Sequence, residues 1–134
     1  MSQQNVNIVL AAGAAFNRGD LDAWFEYYTD NIDYRPVEGA IDDQGQIHGK
    51  DAYRAYVQDW LDTFNDVRLE PVEQIAVGED KVIAVVRARG RAKLSGVEPE
   101  LTFAVLYTIR DGKIARGRQY FTRDEALEAA GLSE

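Results

Sequence analysis

Few residues in this chain could carry out chemistry. His48 is its single histidine, and so the one side chain whose ordinary pKa lies near neutrality. It is the first candidate catalytic group, a proton donor and acceptor. It stands immediately before Gly49-Lys50-Asp51, where a helix opens, so capping, surface placement and ligand contact are alternative roles. Arg87 is the second candidate. It alternates with Arg89, Arg91 and Lys93, which puts all four on one side of a strand. An arginine stays protonated and cannot be a base, but inside a cavity it would stabilise a developing oxyanion. The alternative is an ion pair with Glu98 or Glu100 across a hairpin. Tyr34, Trp60 and Tyr107 combine aromatic bulk with a polar handle and fall on separate elements, as candidates for a ligand-binding pocket or for a core.

The carboxylates are numerous, yet a general base would have to sit inside an apolar pocket. Asp33 comes closest, but its strand parity opposes Tyr34. Asp30, Asp42 and Asp43 flank the same strand and its loop and read as solvated. With one histidine and no cysteine, a multi-histidine or thiolate metal centre within the chain is excluded, as are disulfides. No glycine-rich phosphate loop or nucleophile elbow is present, and no metal or other cofactor is expected. A formal charge of −8 argues against nucleic acid as a partner. No apolar run approaches the length of a membrane span, and the first residues lack the features of a secretion signal, which together lead to an expectation of a cytoplasmic protein.

The elements that must hold these groups are readable. At 134 residues, the chain is most economically one domain, 1–134. Val6, Val9, Leu10, Gly13 and Phe16 follow helical spacing, and so do Leu21, Trp24, Phe25 and Tyr28 after Asn17-Arg18-Gly19 and a capping Asp20. A short strand spans 31–35, a loop fills 37–48, and a third helix carries Tyr53, Tyr56, Val57, Trp60, Leu61 and Phe64 on its apolar stripe. Four longer strands follow, 67–77, 81–93, 97–110 and 113–120. Asp111-Gly112 is a hairpin turn, Ser95-Gly96 a weaker one, and Pro71 marks a bulge or an edge. Thr122-Arg123-Asp124-Glu125 has capping-box spacing, with Gly131 as the terminator of a short final helix. The pattern is α+β. Three N-terminal helices are expected against one side of a curved antiparallel or mixed sheet, forming a cone that encloses a pocket. The central strands carry apolar residues at both parities. That predicts a homodimer through the second face of the sheet.

The segments Ala15-Phe16-Asn17-Arg18-Gly19-Asp20-Leu21-Asp22, His48-Gly49, Arg89-Gly90-Arg91 with Ser95-Gly96, Arg110-Asp111-Gly112-Lys113-Ile114, and Glu125 to Leu132 resemble the SnoaL-like and ketosteroid-isomerase-like branch of the NTF2-like superfamily. The resemblance covers nearly the whole chain. It implies a cone-shaped fold around a hydrophobic pocket, homodimers, and members that range from isomerases, cyclases and dehydratases to pure binding domains. In the isomerases a helix tyrosine and a sheet acid stabilise an oxyanion while an aspartate moves the proton. The corresponding positions here hold Ala12, Val105 and Pro36, so no catalytic residue carries over. Two functions follow as expectations. One is an acid–base isomerase, cyclase or dehydratase acting on a small hydrophobic carbonyl compound; the other is a non-catalytic domain that binds a small hydrophobic ligand.

Overall fold

The computed structural model describes residues 2–39 and 45–132. Asp42 and Asp43, expected in the loop beyond the first strand, lie outside them. Helix α1 (Ser2–Asn17) ends at the Asn17-Arg18-Gly19 turn, where Gly19 takes φ +80°. Asp20 then caps α2 (Leu21–Glu26) by accepting a bond from the Ala23 amide. Strand β1 (Tyr28–Arg35) follows, with β2 (Ile47–His48) returning antiparallel to it. Helix α3 (Lys50–Thr63) leads into β3 (Phe64–Val77), β4 (Lys81–Ala92), β5 (Glu100–Arg110) and β6 (Lys113–Tyr120). The β5–β6 turn has positive φ at both Asp111 and Gly112, as a two-residue hairpin requires. Helix α4 (Arg123–Ala129) begins with a complete capping box between Thr122 and Glu125.

The six strands form one mixed sheet in the order β2-β1-β6-β5-β4-β3, with β1 and β6 parallel. This corrects the expectation of a cone-shaped sheet enclosing a pocket. The sheet is neither closed nor strongly curved: β2 and β3 are its two open edges. Closure would need β3, 14 residues long, to pair along β2, which has two residues and too few backbone groups to offer. Pro71 sits on the edge strand β3 next to a register shift between Pro71 and Glu73, where its missing donor does least harm.

Helices α1 to α3 cover one face of the sheet. Their core runs through Phe16, Trp24, Phe25, Tyr28 and Tyr53 to Val105 and Ile114. The opposite face has a smaller core of its own, in which Ile83, Val85 and Ala104 meet Ala126 and Leu127 of α4. The apolar residues of the second parity are therefore covered in part by the chain's own C-terminal helix.

Candidate functional site

Facing positions on α1 and β4 carry little side chain: Ala12 and Gly13 on the helix, Ala84 and Ala88 on the strand. A Cβ added at Gly13 would meet nothing within 4 Å. Helix and sheet cannot fill the space between them, and a cavity of about 710 Å³ remains, bordered by these four residues. Its walls are mainly aromatic and aliphatic, from Phe16 and Trp60 on the helices to Phe103 on β5. Asn17, at the end of α1, fixes the helix to β3. Its side chain accepts from the Leu69 amide and donates to the Leu69 carbonyl, both at 2.9 Å.

At one end the cavity is lined by tyrosines. Tyr28 and Tyr34 come from β1, Tyr53 and Tyr56 from α3, and Tyr107 from β5. Ring contacts run from Trp24 to Tyr28 (5.3 Å), Tyr28 to Tyr53 (5.2 Å) and Tyr53 to Tyr34 (4.7 Å). Tyr53, Tyr107 and the Trp24 indole lie beside the Tyr28 hydroxyl and partly offset the effect of its burial. Gln119 on β6 donates to the Tyr34 hydroxyl. Burial raises the pKa of Tyr28, and burial together with the neighbouring tyrosines pushes Tyr53 and Tyr107 well up. These phenols stay protonated at neutral pH. They can donate hydrogen bonds to an oxygen and cannot act there as bases.

Among the described residues, the charged residues on the cavity's border are Arg89 and Glu100, whose side chains join Arg87 and Glu70 on the other side of the sheet. Both are about half exposed, 50% and 55%, and they pair with each other at 3.2 Å. The groups singled out in the sequence divide accordingly. Tyr34, Trp60 and Tyr107 all border the cavity; Trp60 also stacks on Phe64 at 5.1 Å. His48 does not border it. Its side chain is 74% exposed on β2 and paired with Asp33, its register partner on β1. Gly49 rather than His48 occupies the N-cap of α3. Arg87 lies on the opposite sheet face from Val86 and Ala88, which do border the cavity. It reaches Glu70 at 3.1 Å and Glu100 at 3.6 Å, so one of the two glutamates named for it is a partner and Glu70 is added. Arg89 completes this lattice, 3.6 Å from Glu70.

Tyr28, Tyr53 and Gln119 were not singled out as functional by sequence reasoning. The signal available was chemical: tyrosine rather than leucine or phenylalanine on apolar stripes puts hydroxyls into a core, where each needs a partner. Of the positions aligned with isomerase groups, Ala12 borders the cavity, while Val105 and Pro36 are buried without doing so.

No curated protein matches the chain in sequence. Solved structures of the same fold are numerous. An NTF2-like protein from Burkholderia xenovorans LB400 is 26% identical, with a TM-score of 0.74 over 97% of both chains. TerC, co-crystallised with polyporic acid, is 23% identical, with a TM-score of 0.76 over 96% of this chain and 98% of its own. RV0760c from Mycobacterium tuberculosis, in complex with estradiol-17beta-hemisuccinate, is 17% identical, with a TM-score of 0.77 over 90% and 95%. Residues 9–117 match the SnoaL-like domain, and with the fold in agreement over nearly its whole length, the chain belongs to the SnoaL-like family of the NTF2-like superfamily.

Proposed function

We propose that this protein binds a small, uncharged, mainly apolar molecule bearing a carbonyl-type oxygen, and holds it without turning it over. The observation that carries this reading is the make-up of the cavity wall: apolar over most of its surface, with tyrosine hydroxyls held un-ionised at one end. Such hydroxyls suit an acceptor oxygen, and apolar walls suit a hydrocarbon or aromatic body. An acid–base enzyme needs a group that takes a proton near neutral pH. The described lining includes neither imidazole nor carboxylate apart from the half-exposed, ion-paired Glu100. Two structures of the same fold hold small organic molecules, estradiol-17beta-hemisuccinate and polyporic acid, which supports binding as the role of the cavity.

Equilibrium dialysis against 2-acetylnaphthalene tests the binding, with saturable uptake expected. Exchange of its acetyl protons in deuterated buffer tests for turnover, since a base in the cavity that takes a proton beside the bound carbonyl accelerates it. No uptake would refute binding, and exchange faster than in buffer would restore the isomerase-type reading.

The partner proposed for the outer face of the sheet is a second copy of the chain. There Arg87 and Arg89 alternate with Glu70 and Glu100, and a patch carrying both signs is self-complementary about a two-fold axis. Sedimentation at micromolar concentration should give twice the chain mass, falling to one in high salt as the ion pairs are screened. A monomer at low salt would reject the pairing.

A further inference from the structure

Gly117 lies on β6 between two of the cavity tyrosines, in register with Tyr34 on β1 and Tyr107 on β5. Its φ is not in the left-handed region, so the strand conformation does not call for glycine. What the position uses is the missing side chain. A Cβ there would stand 2.7 and 2.8 Å from Cδ1 and Cε1 of Tyr34 and 3.3 Å from Cε1 of Tyr107. The first two distances are shorter than carbon atoms tolerate, so the Tyr34 ring would have to move. It has little room to retreat: Tyr53 packs on it with ring centres 4.7 Å apart, and its hydroxyl is held by Gln119, two residues further along β6.

We propose that Gly117 is a positioning residue whose bare Cα seats Tyr34, and thereby determines whether the tyrosine end of the cavity can receive a ligand's oxygen. This rests on the binding role proposed above. A methyl group at position 117 displaces the Tyr34 ring, which packs on Tyr53 and whose hydroxyl Gln119 holds. It disturbs the hydroxyls and leaves the apolar part of the cavity, between α1 and β4, unaltered.

The experiment compares two probes by equilibrium dialysis, 2-acetylnaphthalene and naphthalene, which share a ring system and differ in the ketone. In the wild-type protein the ketone is expected to be preferred beyond its preference in octanol–water partitioning. In Gly117→Ala that excess preference is expected to fall about tenfold, the scale of one or two hydrogen bonds, while naphthalene affinity holds. Equal losses for both probes, or an unchanged ratio, would overturn the positioning role and leave the binding role standing. Failure of the wild-type protein to bind either probe would overturn both. Should Gly117→Ala fail to fold, Gly117→Ala combined with Tyr34→Val removes the ring that clashes. Its thermal midpoint is then expected to match that of Tyr34→Val alone, and a midpoint well below that reference would show that the position does not act through Tyr34.

Discussion

Gly13 offers the sharpest test of the cavity, because the same position makes opposite predictions for a filled and an empty interior. It sits mid-helix in α1, is half-buried, and would gain a Cβ with nothing within 4 Å. Glycine in a helix interior costs about 0.5–1 kcal/mol relative to alanine, chiefly through backbone entropy. Gly13→Ala recovers that amount with no steric charge against it, which for a chain of this size raises the thermal midpoint by about 2–4 °C. Gly13→Phe keeps part of the helical gain and projects a ring into the 710 Å³ space. It should melt no lower than the wild type and yet lose 2-acetylnaphthalene binding. Thermal denaturation followed by circular dichroism gives the first quantity, and equilibrium dialysis the second. A Gly13→Ala midpoint below that of the wild type would mean that neighbouring atoms already occupy the space, and the reasoning from the cavity would fail with it.

Other outcomes follow from the same geometry. Asn17→Ala removes both bonds to Leu69 and should destabilise the protein by about 1–3 kcal/mol in urea titrations; no change would mean that α1 is held to β3 by apolar contact alone. His48→Ala and Arg87→Met should leave ligand affinity unchanged in dialysis, since neither side chain borders the cavity, and a marked loss from either would contradict that placement. Tyr28, Tyr53 and Tyr107 have folded pKa values above the unfolded value of about 10. Their contribution to stability is therefore complete below about pH 10 and is lost as pH rises from there through the folded values. Phenolate absorbance from these three should appear only with unfolding, and a stability that stays flat well into the alkaline range would refute the burial of their hydroxyls.

Much of the fold was legible because it rests on local chemistry. Asp20, Asp111-Gly112, Thr122 with Glu125, and Pro71 each announce a cap, turn or edge within a few residues. The sheet's openness was not legible, because closure depends on whether two strands distant in sequence, β2 and β3, can meet. Nor was the cover on the second face. Apolar parity along β4 says that something lies over it, and a seven-residue helix at the far end of the chain satisfies part of that demand as well as a partner would. At the site, alternation left open which face Arg87 takes; the register of β4 with β5 pairs Tyr107 with Val82, whose parity is opposite to that of Arg87. Gly13 and Gly117 show the limit most clearly. They look alike in sequence, yet one faces open space and the other a ring at 2.7 Å.

The parallel pairing of β1 with β6 also governs when the molecule can assemble. Strands β3 to β6 form a meander of neighbours and can zip together from short hairpin closures, the kind of contact that forms quickly. Strand β1 has no partner in that set until Lys113–Tyr120 is made, so it and β2 wait through most of the chain's synthesis. The tyrosine cluster draws on both groups, Tyr28 and Tyr34 from the waiting segment and Tyr107 from the meander. In a chain emerging from synthesis it therefore completes last, and a nascent chain halted before β6 leaves the apolar face of β1 open to whatever chaperone or neighbour is at hand.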